Sequence, residues 1–290
     1  MKNYLFILLI CLGCASKKEI VAPKFESKIV SNEKLSCRAI FVDADKVWLG
    51  MDKGRYGFYD KKKDTLVVKT IQSVSNATEF RSIAATKDAI FILAVGNPAK
   101  LIKIDKKSLQ ETIVYQEENE KVFYDSMQFV DNLNGFAMGD PTEDCLSFIK
   151  TTDGGNSWEK ISCANFPKVS EGEAAFATSN TNLIVKGKSI FMVSGGKKSR
   201  VFVSHDFGTS WQVYETPIVQ GEEMTGIFTA DFYNDKTGII AGGNYLKQTQ
   251  NWSNKAITTN GGKTWNLIAE NEAFGYASCV QFVPNSKAKQ

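Results

Sequence analysis

The chain has 290 residues, 43% hydrophobic, 23% charged and 11% aromatic, the make-up of a globular protein able to bury a core. Its net charge of +3 comes from 35 Lys and Arg against 32 Asp and Glu. With only short lysine clusters such as Lys61–Lys63, this balance excludes nucleic acid as an expected partner.

The first feature in chain order is "MKNYLFILLICLGCASKKE". Lys2 precedes an apolar run from Tyr4 to Leu12, too short for a stable membrane-spanning helix but suited to the h-region of a signal peptide. Gly13-Cys14 at its end resembles the lipobox of bacterial lipoproteins, although Cys11 stands where Leu is usual. That resemblance implies a signal peptide over 1–13, a lipidated Cys14 and a tether over 14–30. The protein would then be exported and anchored in the bacterial cell envelope. A plain secretory signal with an incidental cysteine is the alternative. Beyond it lie Cys37, Cys145, Cys163 and Cys279, with no C-x-x-C, and the chain has one histidine. A Cys/His metal centre is therefore not expected, whereas export would permit disulfides.

From residue 31 onward the pattern is repetitive. Short apolar runs end in glycine: "VWLG" at Gly50, "FILAVG" at Gly96, "GFAMG" at Gly139, "IFMVSG" at Gly195 and "GIIAG" at Gly242. Each reads as a buried strand followed by a turn. Between them recurs Ser/Thr-x-Asp/Asn-x-Gly-x-Ser/Thr-Trp. The copies are Thr151, Asp153, Gly155, Ser157, Trp158; Ser204, Asp206, Gly208, Ser210, Trp211; and Thr258, Asn260, Gly262, Thr264, Trp265. The carboxylate or amide can close a turn on backbone N–H groups, and the glycine supplies a positive φ. The tryptophan then buries its surface in the neighbouring sheet. The expected role is a structural hairpin staple; Asp60 and Asp105 mark fainter versions in the first two units.

Repeats of this length with several short strands each predict an all-β fold, a β-propeller of four-stranded blades over 31–290. The units run near 37–75, 80–116, 122–164, 172–216 and 224–270, with a sixth beginning at "GYASCVQFVPNS". About five and a fraction blades are expected in this chain. Either residues 20–36 complete the last blade, or, as favoured here, the chain continues past Gln290.

The repeated turn resembles the Asp-box of sialidases and other propellers. Together with "FRSIAA", "FYDSMQFVDNLNGFAMGDP", "GEAAFATSNTNLIV", "VSGG" and "TGIFTADFYNDKTGIIAGG", it makes residues 36–290 similar to the bacterial BNR-repeat propellers related to the photosystem II stability and assembly factor. That resemblance implies seven blades in the complete protein. The oxidoreductase label common in that group finds no G-x-G-x-x-G or C-x-x-C-H support here, and no cofactor is expected.

Aligning the first strand of every unit gives one polar column: Arg38, Arg81, Asp125, Glu173, Thr225 and Ser278. These should ring one end of the central channel, with Tyr124 beside them. Arg38, Arg81, Tyr124, Asp125 and Glu173 are thus candidate ligand-binding residues, the arginines suited to a small anionic ligand. The competing expectation is that the arginines pair with Asp125 and Glu173. The preferred function is a non-catalytic scaffold that binds a protein or an anionic ligand. A sialidase-like glycoside hydrolase or a lyase is the alternative, weakened because "FRSI" lacks the proline of the sialidase F-R-I-P motif and no third arginine is in register. Cys145 and Cys163 flank the first Asp-box turn almost symmetrically, so a disulfide between them is expected.

Overall fold

The computed structural model describes residues 26–283. The chain divides into two compact units, Met1–Asn32 and Glu33–Gln290. In the first, the described residues 26–32 carry no strand or helix. The expected signal peptide, Cys14 and most of the tether lie outside the described residues. Among the described residues no helix is long and apolar enough to cross a membrane.

The second unit is a succession of antiparallel meanders. The first sheet is β1 (Cys37–Val42), β2 (Lys46–Met51), β3 (Arg55–Asp60) and β4 (Thr65–Thr70), paired in that order. The second is β5 (Phe80–Ala85), β6 (Ala89–Ala94), β7 (Ala99–Asp105) and β8 (Glu111–Glu117). The third is β9 (Tyr124–Phe129), β10 (Gly135–Gly139), β11 (Ser147–Thr151) and β12 (Glu159–Lys160). The fourth blade follows β13 (Glu173–Ala174) and contains β14 (Leu183–Lys186), β15 (Ser189–Val193), β17 (Arg200–Ser204) and β18 (Gln212–Glu215). The fifth is β19 (Thr225–Phe232), β20 (Gly238–Asn244), β21 (Lys255–Thr258) and β22 (Asn266–Leu267); its sheet is extended through β16 (Gly195–Gly196) to β13. This is the all-β architecture of four-stranded propeller blades.

The first strands of the blades pack side by side, β1 on β5, β5 on β9, β9 on β14 and β14 on β19. Second strands such as β6 and β15 are buried at every position. Both faces of each meet a neighbouring sheet, which is why they read as unbroken apolar runs. Four cores follow, one at each junction between consecutive blades. The tryptophans of the repeated turns belong to them. Trp158 stands edge-on to Phe129 and Phe91, Trp211 packs on Phe148 and Phe166, and Trp265 meets Phe232 edge-on.

The turns themselves are closed by their own side chains. Asp153 Oδ1 accepts the N–H groups of Asn156 and Ser157 at 2.9 and 3.1 Å, and Asp206 Oδ1 those of Thr209 and Ser210 at 3.1 and 2.9 Å. Asn260 Oδ1 takes Thr264 N–H at 3.0 Å. The glycines Gly155, Gly208 and Gly262 have φ of 76°, 78° and 82°, where a side chain would be strained. Hydrogen bonds from Ser210, Ser204 and Thr209 hold Asp206 down to about 2. Asp153 is also drawn to about 2: its partial burial acts upward, but Ser157, Thr151 and Asn156 outweigh it. Asp60 and Asp105 close the equivalent hairpins of the first two blades through Lys62, Lys63, Lys107 and Ser108 N–H groups.

Cys145 and Cys163 form a disulfide with Cα atoms 5.5 Å apart. Cys163 lies in a 3₁₀ turn (Cys163–Asn165) rather than on an adjacent strand, and Cys145 pairs instead with Lys168. The bond closes 18 residues of chain, a constraint on the unfolded state of about 3 kcal/mol. A Cys145→Ser/Cys163→Ser variant should lose roughly that amount in urea unfolding. Unchanged midpoints for the variant and for reduced wild type would refute it.

In four blades the first strand carries a one-residue bulge. The extra residues are Arg38, Arg81, Asp125 and Phe228. The fourth blade differs: β13 and β14 are separated by residues 175–182, which cross the propeller axis as a strap. Asn180 Nδ2 donates to Ile83 O at 2.9 Å and its Oδ1 accepts Met127 N–H at 2.9 Å. Thr181 O takes Ala230 N–H at 3.0 Å, and Thr178 Oγ1 reaches Phe228 O and Ser278 O at 3.3 and 3.4 Å. The strap thereby bonds to the second, third and fifth blades and to the residues that follow them.

The expected sixth unit has no assigned strand among its described residues, yet it occupies a first-strand position. Val280 N–H binds Thr229 Oγ1 at 3.0 Å and Phe282 N–H binds Asp231 Oδ2 at 2.8 Å. The same arrangement joins the third and fourth blades, where Leu183 N–H binds Ser126 Oγ at 3.3 Å and Val185 N–H binds Gln128 Oε1 at 2.7 Å.

Candidate functional site

The polar column is brought together only in part. Arg38, Arg81 and Asp125 occupy the same bulge position on consecutive blades. A bulge turns its extra residue out of the pleat, and on the first two strands this brings Arg38 and Arg81 together on Glu79, whereas Asp125 is buried. Glu173 is displaced by the strap that follows it. Thr225 lies three residues before its blade's bulge residue, Phe228, and is buried with its hydroxyl on Glu222 O at 2.7 Å. Ser278 lines the central cavity, as Arg38 does.

The expected pairing of the arginines with Asp125 and Glu173 is not what forms. Arg38 Nε and Arg81 Nη2 both bind Glu79, at 3.2 and 2.9 Å. Glu173 is bound instead by Arg200, through Nε to Oε1 at 2.9 Å and through Nη2 to Oε2. Ser194 Oγ and Ser170 N–H complete the Glu173 site at 2.5 and 2.8 Å. Glu79 and Arg200 were hidden from the column because neither stands on a first strand. Glu79 stands immediately before "FRSIAA", two residues from Arg81, and the bulge at Arg81 lets the two side chains meet.

Tyr124 does not join the mouth. It is fully buried in the core between the second and third blades, with its hydroxyl on Glu117 Oε2 at 2.8 Å. Tyr115 binds the same oxygen at 2.8 Å, and Lys160 binds Glu117 Oε1 and Thr142 Oγ1. Burial acts to raise Glu117, but Lys160 and the two tyrosine hydroxyls hold it below its ordinary range. Every polar atom of this cluster is partnered, so it serves the blade junction.

Asp125 is the unusual member. It is fully buried, and neither carboxyl oxygen has a hydrogen-bond partner among the described residues. Burial and then the carboxyl of Asp140 push it well above the usual carboxylate range, with Arg81 opposing. The Asp140 N–H, which also faces it, is donated to Phe123 O at 2.7 Å. Burial raises Asp140 itself to about 6, against the N–H it accepts from Ala175 at 2.8 Å. Arg81 Nε, like the carboxyl oxygens of Asp125, is buried and unpartnered.

A cavity of about 740 Å³ is lined by all five first strands, Arg38 among their residues, and by Ser278, Cys279 and Gln281. The strap's Thr178–Thr181 contribute to its wall, with Ile40, Phe41, Val42, Phe129 and Ile184 supplying apolar surface. Ile40 and Val42 remain exposed. Cys37 and Cys279 both line it as free thiols. Among the described residues no cluster of three or more His, Cys, Asp or Glu could hold a metal ion.

No family profile and no curated protein matches the chain. Solved structures do match. U3-55K is 11% identical over 82% of this chain and 65% of its own, with a TM-score of 0.58. The RRP9 WD40 repeats are 10% identical over 82% and 64%, at 0.57. A chain of the mitotic checkpoint complex is 8% identical over 86% and 69%, at 0.60. The chain thus spans just under two thirds of the first two. At these identities the likeness shows the fold alone, a β-propeller.

Proposed function

We propose that this protein is an exported, membrane-tethered propeller that binds a protein partner or a small anionic ligand and performs no catalysis of its own. The observation that carries this reading is the charge arrangement at the channel mouth. Two guanidinium groups share one carboxylate, Glu79, and the Arg38 side chain is 49% exposed. The mouth therefore keeps a surplus of positive charge in reach of solvent, and arginine suits carboxylate, sulfate or phosphate. A glycosidase needs two carboxyls facing an open pocket. Here Asp125 is buried, and Glu173 is buried and held by Arg200. The lipid tether rests on the sequence of residues 1–14 and agrees with a disulfide-bonded chain.

The test is affinity capture of the lipidated protein from its own envelope, beside calorimetry with sulfate, phosphate and acetate. An Arg38→Ala/Arg81→Ala variant should lose the captured partner or anion affinity at least about tenfold, the scale of a charge-assisted bond. Cys14→Ser should move the protein from the membrane fraction to the soluble one. Equal capture and equal anion binding by the double variant would remove the mouth from the account.

A further inference from the structure

Two joints between first strands are built alike. Ser126 and Gln128 of β9 accept the N–H groups of Leu183 and Val185, and Thr229 and Asp231 of β19 accept those of Val280 and Phe282. In each, a hydroxyl oxygen and, two residues on, an amide or carboxylate oxygen meet two alternate main-chain donors. Val280 and Phe282 turn to β19, which leaves Cys279 and Gln281 on the opposite, exposed side of 278–283. Gln281 stands three residues after Ser278, as Gln128 does after Asp125 and Asp231 after Phe228. Cys279 and Gln281 line the central cavity, and so do Ile40 and Val42 of β1. Asp43 N–H bonds Lys46 O at 2.8 Å, which sets the phase of the ladder between β1 and β2. Ile40 and Val42 therefore sit at its non-hydrogen-bonded pairs, opposite Leu49 and Val47, and their N–H groups point away from β2. They are 60% and 64% exposed, whereas Ile83, at the place of Ile40 in the second blade, is 1% exposed in the core shared with the first. One wall of the cavity thus offers the acceptor of a further joint, and another wall its two donors.

We propose that the slot between 278–283 and β1 takes up one extended strand of a partner polypeptide, carrying in order Ser or Thr, an apolar residue, Gln or Asp, and a second apolar residue. That is the order of Ser126–Phe129 and Thr229–Phe232, the two stretches that already make this joint within the chain. The incoming strand turns a main-chain N–H to Gln281 and its own side-chain oxygens to the N–H groups of Ile40 and Val42. Its backbone covers the exposed Ile40 and Val42 side chains. A strand fits where a helix does not, because donors and acceptors recur along both walls with the two-residue period of extended chain. The slot goes beyond the arginine mouth, since it reads main chain and neutral oxygens instead of an anion.

The probe is an N-acetylated, C-amidated peptide copying Phe123–Asp131, FYDSMQFVD. Its control carries alanine in place of the copies of Ser126 and Gln128. Added to the full chain at saturation, the first peptide should raise hydrogen-exchange protection of the Ile40 and Val42 amides about tenfold and slow alkylation of the Cys279 thiol, with the Ile102 amide of β7 unchanged. The control should bind about tenfold more weakly, the scale of two lost hydrogen bonds. Gln281→Ala, a change at an exposed side chain, should weaken the first peptide about fivefold. It should leave anion binding at the mouth as it was, so the two readings fail separately. Equal affinity for both peptides overturns the proposal, as does no binding of the first at millimolar concentration. So do Ile40 and Val42 amides already protected in the free protein, which would mean that the ring closes on itself through Gln281. A dimer that forms with rising concentration and masks Cys279 overturns it too, by giving the slot to a second copy.

Discussion

Replacing Arg200 by methionine should destabilise the protein by about 3–5 kcal/mol, the cost of stranding a buried charge. Glu173 has a fully buried side chain and Arg200 one that is 14% exposed. Without the guanidinium, the carboxylate keeps only Ser194 Oγ and Ser170 N–H. Arg200 also donates to Lys168 O at 3.0 Å, so the same change frees the segment leading to β13. The companion variant Glu173→Met/Arg200→Met separates attraction from desolvation, since an apolar pair carries no stranded charge. It should recover most of the loss. Chemical denaturation of the three proteins gives the comparison, and a loss under about 1 kcal/mol for Arg200→Met would show the pair to be solvated.

Gly226→Ala should be at least as damaging, about 4 kcal/mol or outright failure to fold. In the ladder between β19 and β16, Gly226 pairs with Gly195. A Cβ at Gly226 would lie 2.5 Å from Gly195 Cα, on a residue whose φ is +122°. Gly242 is as tight, its added Cβ falling 1.9 Å from Gly226 O. No side chain can yield there because both sides of the contact are backbone. Gly187→Ala is the matched control. Its φ is +59° but an added Cβ meets nothing within 4 Å, so it should cost only the roughly 1–2 kcal/mol of a left-handed residue. Comparable thermal shifts for the two variants would refute the steric argument.

Much of this architecture was legible in the chain because its determinants are local. The Ser/Thr-x-Asp/Asn-x-Gly turns and the wholly apolar second strands announce blades through spacing alone. The constant interval also placed Arg38, Arg81 and Asp125 at equivalent positions. It failed where the interval itself changes. In the fourth blade eight residues stand where the others have one, so Glu173 was aligned with a ring it does not enter, and Thr225 was aligned three residues early. Tyr124 was misplaced for a related reason: the bulge at Asp125 shifts the register, and the residue before it faces the inter-blade core. Glu79 and Arg200 take their roles from tertiary pairing, which no periodicity encodes.

The joints between the third and fourth blades and after the fifth share an asymmetry. One partner supplies side-chain oxygens, Ser126 and Gln128 or Thr229 and Asp231, and the other supplies only main-chain N–H groups. Every amino acid but proline owns such a donor. These hydrogen bonds therefore do not depend on which side chains the incoming segment carries. Lineages of such modules can drift far apart in spelling without losing the ability to assemble.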